Sequence, residues 1–292
     1  MFFTSPSKIK TKRARVPDAR FSITHRQELI SGFRQDKLAN ARGILIGAGG
    51  IGSEIAEGLC RKGVGHLVIF DHDRVEQTNL NRQHFFIRDV GKNKARRLAR
   101  NLAAHCHAGT ILESFPLSFQ DALALGMDLK GAFAVCGVDN AKTRVAVSQY
   151  YYRAGCPVVF INVDLLAESG HVFVQESAPQ TPCFGCAFPR AQAGRKAPCF
   201  VPSSKDILKV TAGLALYAID GVVGMDRKRN WNYRRIHLAS YAPDVIERIE
   251  RNPRCSLCSQ QEGEPSTETE QQQQGSPARA TEARGALPGS SP

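Results

Sequence analysis

Gly43-Ile44-Leu45-Ile46-Gly47-Ala48-Gly49-Gly50-Ile51-Gly52 is the stretch that decides the fold. Its first half is a short apolar run bounded by glycines, which predicts a buried strand over 43–47. A helical run follows from Ile51 to Arg61. Between them Gly47, Gly49 and Gly52 fit G-x-G-x-x-G, with Gly50 inside the turn. Such glycines allow a tight turn and bring backbone N–H groups to an anion at a helix N-terminus, where the dipole favours negative charge. Asp71 follows Gly52 by nineteen residues and ends a second apolar strand, 66–70, where it can accept from ribose hydroxyls. A turn shaped by packing alone would explain the glycines but not strand, helix and acid together.

Outward from this unit the alternation continues. A helix is predicted over 92–105, with Ala95, Leu98, Ala99 and Leu102 at helical spacing. A strand over 132–136, a helix over 141–154 and a strand over 158–162 come next. Repeated βαβ units imply a parallel sheet with helices on both faces and right-handed crossovers. From Gly170 strand-like segments at 171–176 and 233–238 predict antiparallel additions, and an apolar helix is expected around 210–223. No internal repeat is present.

Composition sets the outer limits. In 292 residues, 42% hydrophobic and 23% charged, there is enough apolar material for a globular chain of one large or two ordinary domains. No run approaches eighteen consecutive apolar residues, so a membrane helix is excluded, and the first residues lack the apolar core of a secretion signal. Nine cysteines is an odd number, and Cys60 and Cys136 lie inside apolar segments. This usage suits a reducing, cytoplasmic setting in which paired cysteines mean metal or chemistry. The net charge is +12, open to acidic, nucleic-acid or anionic small partners. Residues 1–19, with Lys8, Lys10, Lys12, Arg13 and Arg15 against Asp18, read as a flexible basic arm. Residues 259–292 hold no aromatic and one large aliphatic, Leu287, and read as a disordered tail. The folded domain is expected over 20–258.

The glycine loop by itself fits a nicotinamide oxidoreductase. The residues downstream argue for a different ligand: the run 71–83 (DHDRVEQTNLNRQ) and Gly91-Lys-Asn-Lys94. A triphosphate carries roughly four negative charges, and cleavage between its α and β phosphates calls for Arg and Lys at the phosphates and for Mg2+. Arg82, Lys94 and an acid after the third strand, Asp139, supply such a set at the C-terminal edge of the sheet.

With these pieces in place, about 20–258 resembles the ThiF/MoeB/HesA superfamily, the ubiquitin-activating-enzyme-like adenylyltransferases. The resemblance rests on THRQELISGF at 24–33, GAGGIGS at 47–53, D-x-D-x-V-x-x-x-N-L-x-R-Q at 71–83, G-K-N-K at 91–94, D-N-x-x-x-R at 139–144 and two CxxC pairs. It implies an α/β fold, a Rossmann-like, mostly parallel sheet with an antiparallel extension and a four-cysteine zinc site. It also implies attack on ATP, with Mg2+, by the C-terminal carboxylate of a ubiquitin-like or sulfur-carrier β-grasp protein ending Gly-Gly. By the same resemblance Asp71 is the ribose-binding acid, with Asp73 beside it in the nucleotide set. Asn79, Arg82 and Lys94 are phosphate contacts, and Asp139 organises magnesium and phosphate. Arg26 resembles an arginine that reaches the ATP of the other subunit in a homodimer, although the local spelling, FSITHRQ at 21–27, differs from the family's. The alternative within the fold is an ATP-dependent tRNA-modifying dehydratase, which the cysteines fit less well; a nucleic-acid partner is not expected. A non-catalytic relative is the remaining alternative, against which the intact nucleotide residues weigh.

Cys183-Phe-Gly-Cys186 and Cys255-Ser-Leu-Cys258 are separated by 68 residues. Four thiolates can surround one Zn2+ tetrahedrally, and two-residue spacers let both sulfurs of a pair face the same ion. Such a closed set is structural and leaves no catalytic position. Cys199 stands apart, in a loop with Lys196 and Lys205. It resembles the family's crossover-loop cysteine, which can accept the acyl group as a thioester before a conjugating-enzyme-like acceptor; the competing reading is an ordinary loop cysteine. His105-Cys106-His107 reads as structural or surface, Glu113, Asp121 and Asp128 as solvated charges, and Trp231 beside Arg227, Lys228 and Arg229 as packing or partner contact.

Overall fold

The computed structural model describes residues 6–11, 21–106, 108–178, 180–189, 202–226, 229–239 and 241–259. Its strands are β1 (Ser7–Lys10), β2 (Arg42–Ile46), β3 (His66–Phe70), β4 (Ile111–Phe115), β5 (Phe133–Cys136), β6 (Val158–Val163), β7 (Ser169–Gln175), β8 (Tyr233–His237) and β9 (Val245–Glu247). The helices are α1 (His25–Glu28), α2 (Gln35–Asn40), α3 (Gly50–Lys62), α4 (Lys94–Leu102), α5 (Phe119–Ala124), α6 (Ala141–Arg153), α7 (Phe184–Ala187) and α8 (Lys205–Val222). One sheet runs in the order β1-β4-β3-β2-β5-β6-β7-β8-β9. Its centre, β4-β3-β2-β5-β6, is parallel, and β1 and β7 to β9 add to it antiparallel. The expected α/β sheet with its antiparallel extension is therefore present.

Both faces of the central strands are buried, as a parallel sheet requires. Alternate residues feed two cores: Leu45, Leu67, Ile69 and Val135 face α3, α4 and α8, whereas Ile44, Ile46, Val68 and Ala134 face α5 and α6. The chain order reverses between β3 and β5 on either side of β2, which opens a crevice beyond the C-terminal ends of these strands.

Local chemistry sets the helix ends. Asn93 caps α4 by accepting the Arg96 N–H at 3.0 Å, so the helix begins at Lys94 and not at 92. Asn140 caps α6 in the same way through Thr143 N–H at 2.8 Å. Asp121, expected to be merely solvated, closes a capping box with Ser118 on α5. Gly63, with φ +81, ends α3 in the left-handed conformation.

Two expectations are corrected. The basic arm is not free throughout: Ser7–Lys10 pairs with β4, Lys8 opposite Glu113, and their side chains meet at 2.7 Å. Glu113 is thus held by Lys8 and by His66 at 3.4 Å and is not a solvated charge. Strand β4 itself was not anticipated, because Glu113 and Ser114 interrupt its apolar pattern. At the other end Ser259 N–H donates to Cys255 O at 2.9 Å, so the folded part includes it. Residues 12–20 of the arm and 260–292 of the tail lie outside the described residues. Among the described residues no helix is long and apolar enough to cross a membrane.

Candidate functional site

The glycine loop joins β2 to α3 at the crevice. Gly47 has φ +96, which favours glycine, and a Cβ on Gly52 would overlap the Gly47 carbonyl oxygen. Gly49 is different. Neither a positive φ nor a protein neighbour requires it, since a Cβ there would meet nothing within 4 Å. Its open front, at the start of a thirteen-residue helix, suits close approach of a phosphate. Gly137 N–H, after β5, donates to Ile46 O at 2.9 Å, and a Cβ on Gly137 would lie 3.6 Å from Gly52 N, so the ends of β2 and β5 abut.

Asp71, 8% exposed, holds this loop together. Its Oδ2 accepts the Ala48 N–H at 2.7 Å and its Oδ1 the Asp73 N–H at 2.8 Å. Burial raises its pKa above the usual carboxylate value, while these two N–H groups and Lys94 favour the charged form. Asn93 donates to the Asp71 carbonyl at 2.8 Å and to the Asp73 carbonyl at 3.1 Å, locking the strand end to α4. Asn93 is not among the expected site residues, although it lies within the G-K-N-K run at 91–94. Lys94 Nζ lies 3.0 Å from Asp73 Oδ2; Lys94 is mostly buried and Asp73 half exposed.

Arg82 and Asn79 lie on the turn that follows. Asn79 is buried, and its Oδ1 accepts the Glu76 N–H at 3.0 Å. The Arg82 guanidinium donates to Thr78 O at 2.5 Å and to Asn81 Oδ1 at 2.9 Å. Asp139 is exposed just beyond β5. Its loop is fixed by Arg144, which donates to Val138 O at 2.7 and 2.8 Å and to Asn162 Oδ1 at 3.0 Å, tying β5 to β6. The structure thus brings Gly47, Gly49, Gly50, Gly52, Asp71, Asp73, Asn79, Arg82, Lys94 and Asp139 to one edge of the sheet.

Arg26 is exposed on α1 at the other end of α3. Its neighbour Gln27 donates to Lys62 O, the last residue of α3, at 2.7 Å. Thirteen helical residues span about 20 Å, so α1 sits far from the glycine loop of its own chain. Phe21, Ile23, Leu29 and Ile30 around Arg26 are exposed apolar side chains. Cys199 lies outside the described residues.

The four paired cysteines do converge. Cys183 Sγ lies 3.8 Å from Cys186 Sγ and 3.6 Å from Cys255 Sγ, and Cys186 Sγ lies 3.6 Å from Cys258 Sγ. A tetrahedron of Zn–S bonds of about 2.3 Å has edges of about 3.8 Å, so the set fits a zinc ion. Each pair is anchored by a buried polar group. Phe184 N–H donates to Ser148 Oγ at 3.2 Å and Gln175 Oε1 at 3.1 Å, which fixes the first pair against α6 and β7. Asn232, 2% exposed, donates to Ile249 O at 2.8 Å and accepts Ile249 N–H at 2.7 Å, which holds the chain leading to the second pair. Trp231 is buried with the Arg229 guanidinium 5.3 Å from its ring centroid, so it is a packing residue.

Comparisons with known proteins bear on the family and the fold. MOCS3, the adenylyltransferase and sulfurtransferase of Caenorhabditis briggsae, is 29% identical over 205 residues, 68% of this chain and 47% of that protein. The sulfur carrier protein adenylyltransferase of Thermus thermophilus is 28% identical over 236 residues, 77% of this chain and 84% of that one. Ubiquitin-like modifier-activating enzyme 5 of Xenopus laevis is 30% identical over 185 residues, 59% of this chain and 46% of that protein. The chain spans about half the length of the first and third of these relatives. Among solved structures, Escherichia coli MccB crystallised with ATP superposes with a TM-score of 0.63 at 24% identity, over 77% of this chain and 68% of that one, and so shares the fold. The ThiF family model matches residues 23–257, four-fifths of the sequence, and the chain belongs to the ThiF family.

Proposed function

We propose that the protein is an adenylyltransferase that activates the C-terminal carboxylate of a polypeptide with ATP. One observation carries this reading: a Cβ on Gly49 would meet no atom within 4 Å, at the start of α3 and next to Ala48, whose N–H is held by Asp71. In the reaction a carboxylate oxygen attacks the α-phosphorus, the bond to the bridging α–β oxygen breaks, and pyrophosphate leaves with both bonding electrons. Backbone N–H groups at the start of α3 hold phosphate, Asp71 accepts from the ribose, and Arg82 and Lys94 offset the charge that develops on the phosphates. Lys94 exchanges Asp73 for phosphate as nucleotide enters. Asp139 would hold Mg2+, which usually takes one or two carboxylates together with substrate phosphates and stabilises the leaving group.

The partner proposed is a ubiquitin-like or sulfur-carrier protein of β-grasp type ending Gly-Gly. By their names one relative adenylylates a sulfur carrier protein and another activates a ubiquitin-like modifier, which supports the choice. The Cys199 thiolate then attacks the acyl carbon of the adenylate, the bond from that carbon to the AMP phosphate oxygen breaks, and AMP leaves as the thioester forms. The exposed apolar residues around Arg26 support a homodimer in which each Arg26 serves the partner's nucleotide. The cysteine cluster is proposed to hold a structural zinc. The test is ATP–pyrophosphate exchange dependent on a small protein ending Gly-Gly. Exchange above the level without that protein is expected. Nicotinamide binding with no exchange, or ATP turnover on tRNA alone, would overturn the reading.

A further inference from the structure

Beside the glycine loop lies a group of polar side chains that nucleotide binding does not employ. Glu54, one turn into α3, is 7% exposed. Its Oε1 meets Lys205 Nζ and, at 3.2 Å, His84 Nε2. The two partners come from distant elements: Lys205 begins α8, and His84 follows Arg82 by two residues. Lys205 Nζ also donates to the Arg82 carbonyl at 3.5 Å, and His84 N–H donates to Ser53 Oγ at 3.4 Å. Apolar packing runs the same way, because a Cβ on Gly50 would meet Leu208 Cδ1, one turn into α8, at 2.7 Å. Burial acts to raise the Glu54 carboxyl, yet His84 and Lys205 hold it below its ordinary value.

We propose that Lys205 is a positioning residue for the adenylation step: anchored on Glu54, it fixes the Arg82 backbone against α3, so the phosphate-contacting arginine and the start of α8 move as one body. This rests on the adenylation reading. The physical need is plain. Arg82 lies on a surface turn, and its guanidinium makes only local hydrogen bonds to Thr78 and Asn81 among those described. An arginine that stabilises transition-state charge must be held in place before the charge develops, and a displacement near 1 Å can cost about 100-fold.

The experiment compares wild type with Lys205→Met, Lys205→Arg and Glu54→Gln in ATP–pyrophosphate exchange, normalised to the number of ATP-binding sites. Lys205→Met should lower kcat by about 10- to 100-fold while KM for ATP changes less than about threefold. Lys205→Arg should recover most of the loss, since a guanidinium still spans Glu54 and the carbonyl. Combining Lys205→Met with Glu54→Gln should add little to the first change, because both remove one contact. Wild-type kcat in Lys205→Met, or a loss matched wholly by lost ATP sites, would overturn the inference. If wild type catalyses no exchange, the adenylation reading fails separately. The clamp is then read from hydrogen exchange of the 82–85 amides, faster in Lys205→Met and Glu54→Gln if it exists and unchanged if it does not.

Discussion

In the parallel half of the sheet the side chains proposed to act on the nucleotide stand at or beyond strand ends. Asp139 and Asp73 are exposed, and Lys94 is paired with an acid that phosphate can displace. In the antiparallel flank the corresponding groups close on one another: three of the four paired cysteines are buried, with their sulfurs at tetrahedral spacing. On the proposed reading the first arrangement is completed by a nucleotide that comes and goes, the second by an ion that stays. Damage to the crevice should therefore leave the fold, and damage to the cluster should remove it.

The largest effect belongs to the cluster. Cys183→Ala leaves three sulfurs, and if the cluster holds the proposed zinc, whose binding free energy contributes to folding, a loss of several kcal/mol is expected. Zinc content and thermal melting check this, and a variant that melts with wild type while lacking zinc would break the comparison. Asp139→Ala comes next, as an exposed acid. It should lower exchange by about 100- to 1,000-fold, the scale of a lost transition-state contact, with zinc content and melting temperature kept. Loss of zinc in this variant would show that the two regions are not separable.

Asn232→Ala sharpens the contrast. Its two hydrogen bonds to Ile249 are partly buried, and removing them leaves an N–H and a carbonyl unpaired at a cost of about 1–3 kcal/mol. Zinc should bind more weakly, while exchange per folded molecule stays at the wild-type level. Equal zinc affinity in competition with a chelator would remove Asn232 as the device that presents the second cysteine pair.

These three residues differ in how far the sequence reveals them. The glycine loop and Asp71 are legible because strand, turn and acid lie within thirty residues and obey local rules. The cysteines are legible because spacing and chemistry select one ion. Asn232, Gln175 and Glu54 carry no motif; their partners are Ile249, Ser148 and Lys205, brought near only by the finished sheet. Strand β4 escaped for a related reason. Its apolar pattern is broken by Glu113, whose charge is answered by Lys8 from one neighbouring strand and whose other oxygen meets the His66 ring from the other. A charge that tertiary partners will neutralise looks, in the sequence, like a charge meant for water.

That last pair yields the smallest effect, and it tests whether the sheet's first strand belongs to the parallel half energetically. Burial works against the Glu113 carboxylate, yet the Lys8 hydrogen bond and the charges of His66 and Lys8 hold its pKa below the ordinary value. A depressed carboxylate pKa stabilises the fold above the unfolded pKa, near 4.3, and the contribution is lost as pH falls through the folded value. Lys8 is half exposed, so solvent screening limits the pair to about 0.5 kcal/mol. Lys8→Met should thus lower the melting temperature slightly at pH 7. The gap between variant and wild type should close between about pH 5 and pH 3, as Glu113 takes up its proton in both. A gap that persists unchanged at pH 3 would mean that Lys8 acts through its alkyl packing on the sheet edge and not through its charge.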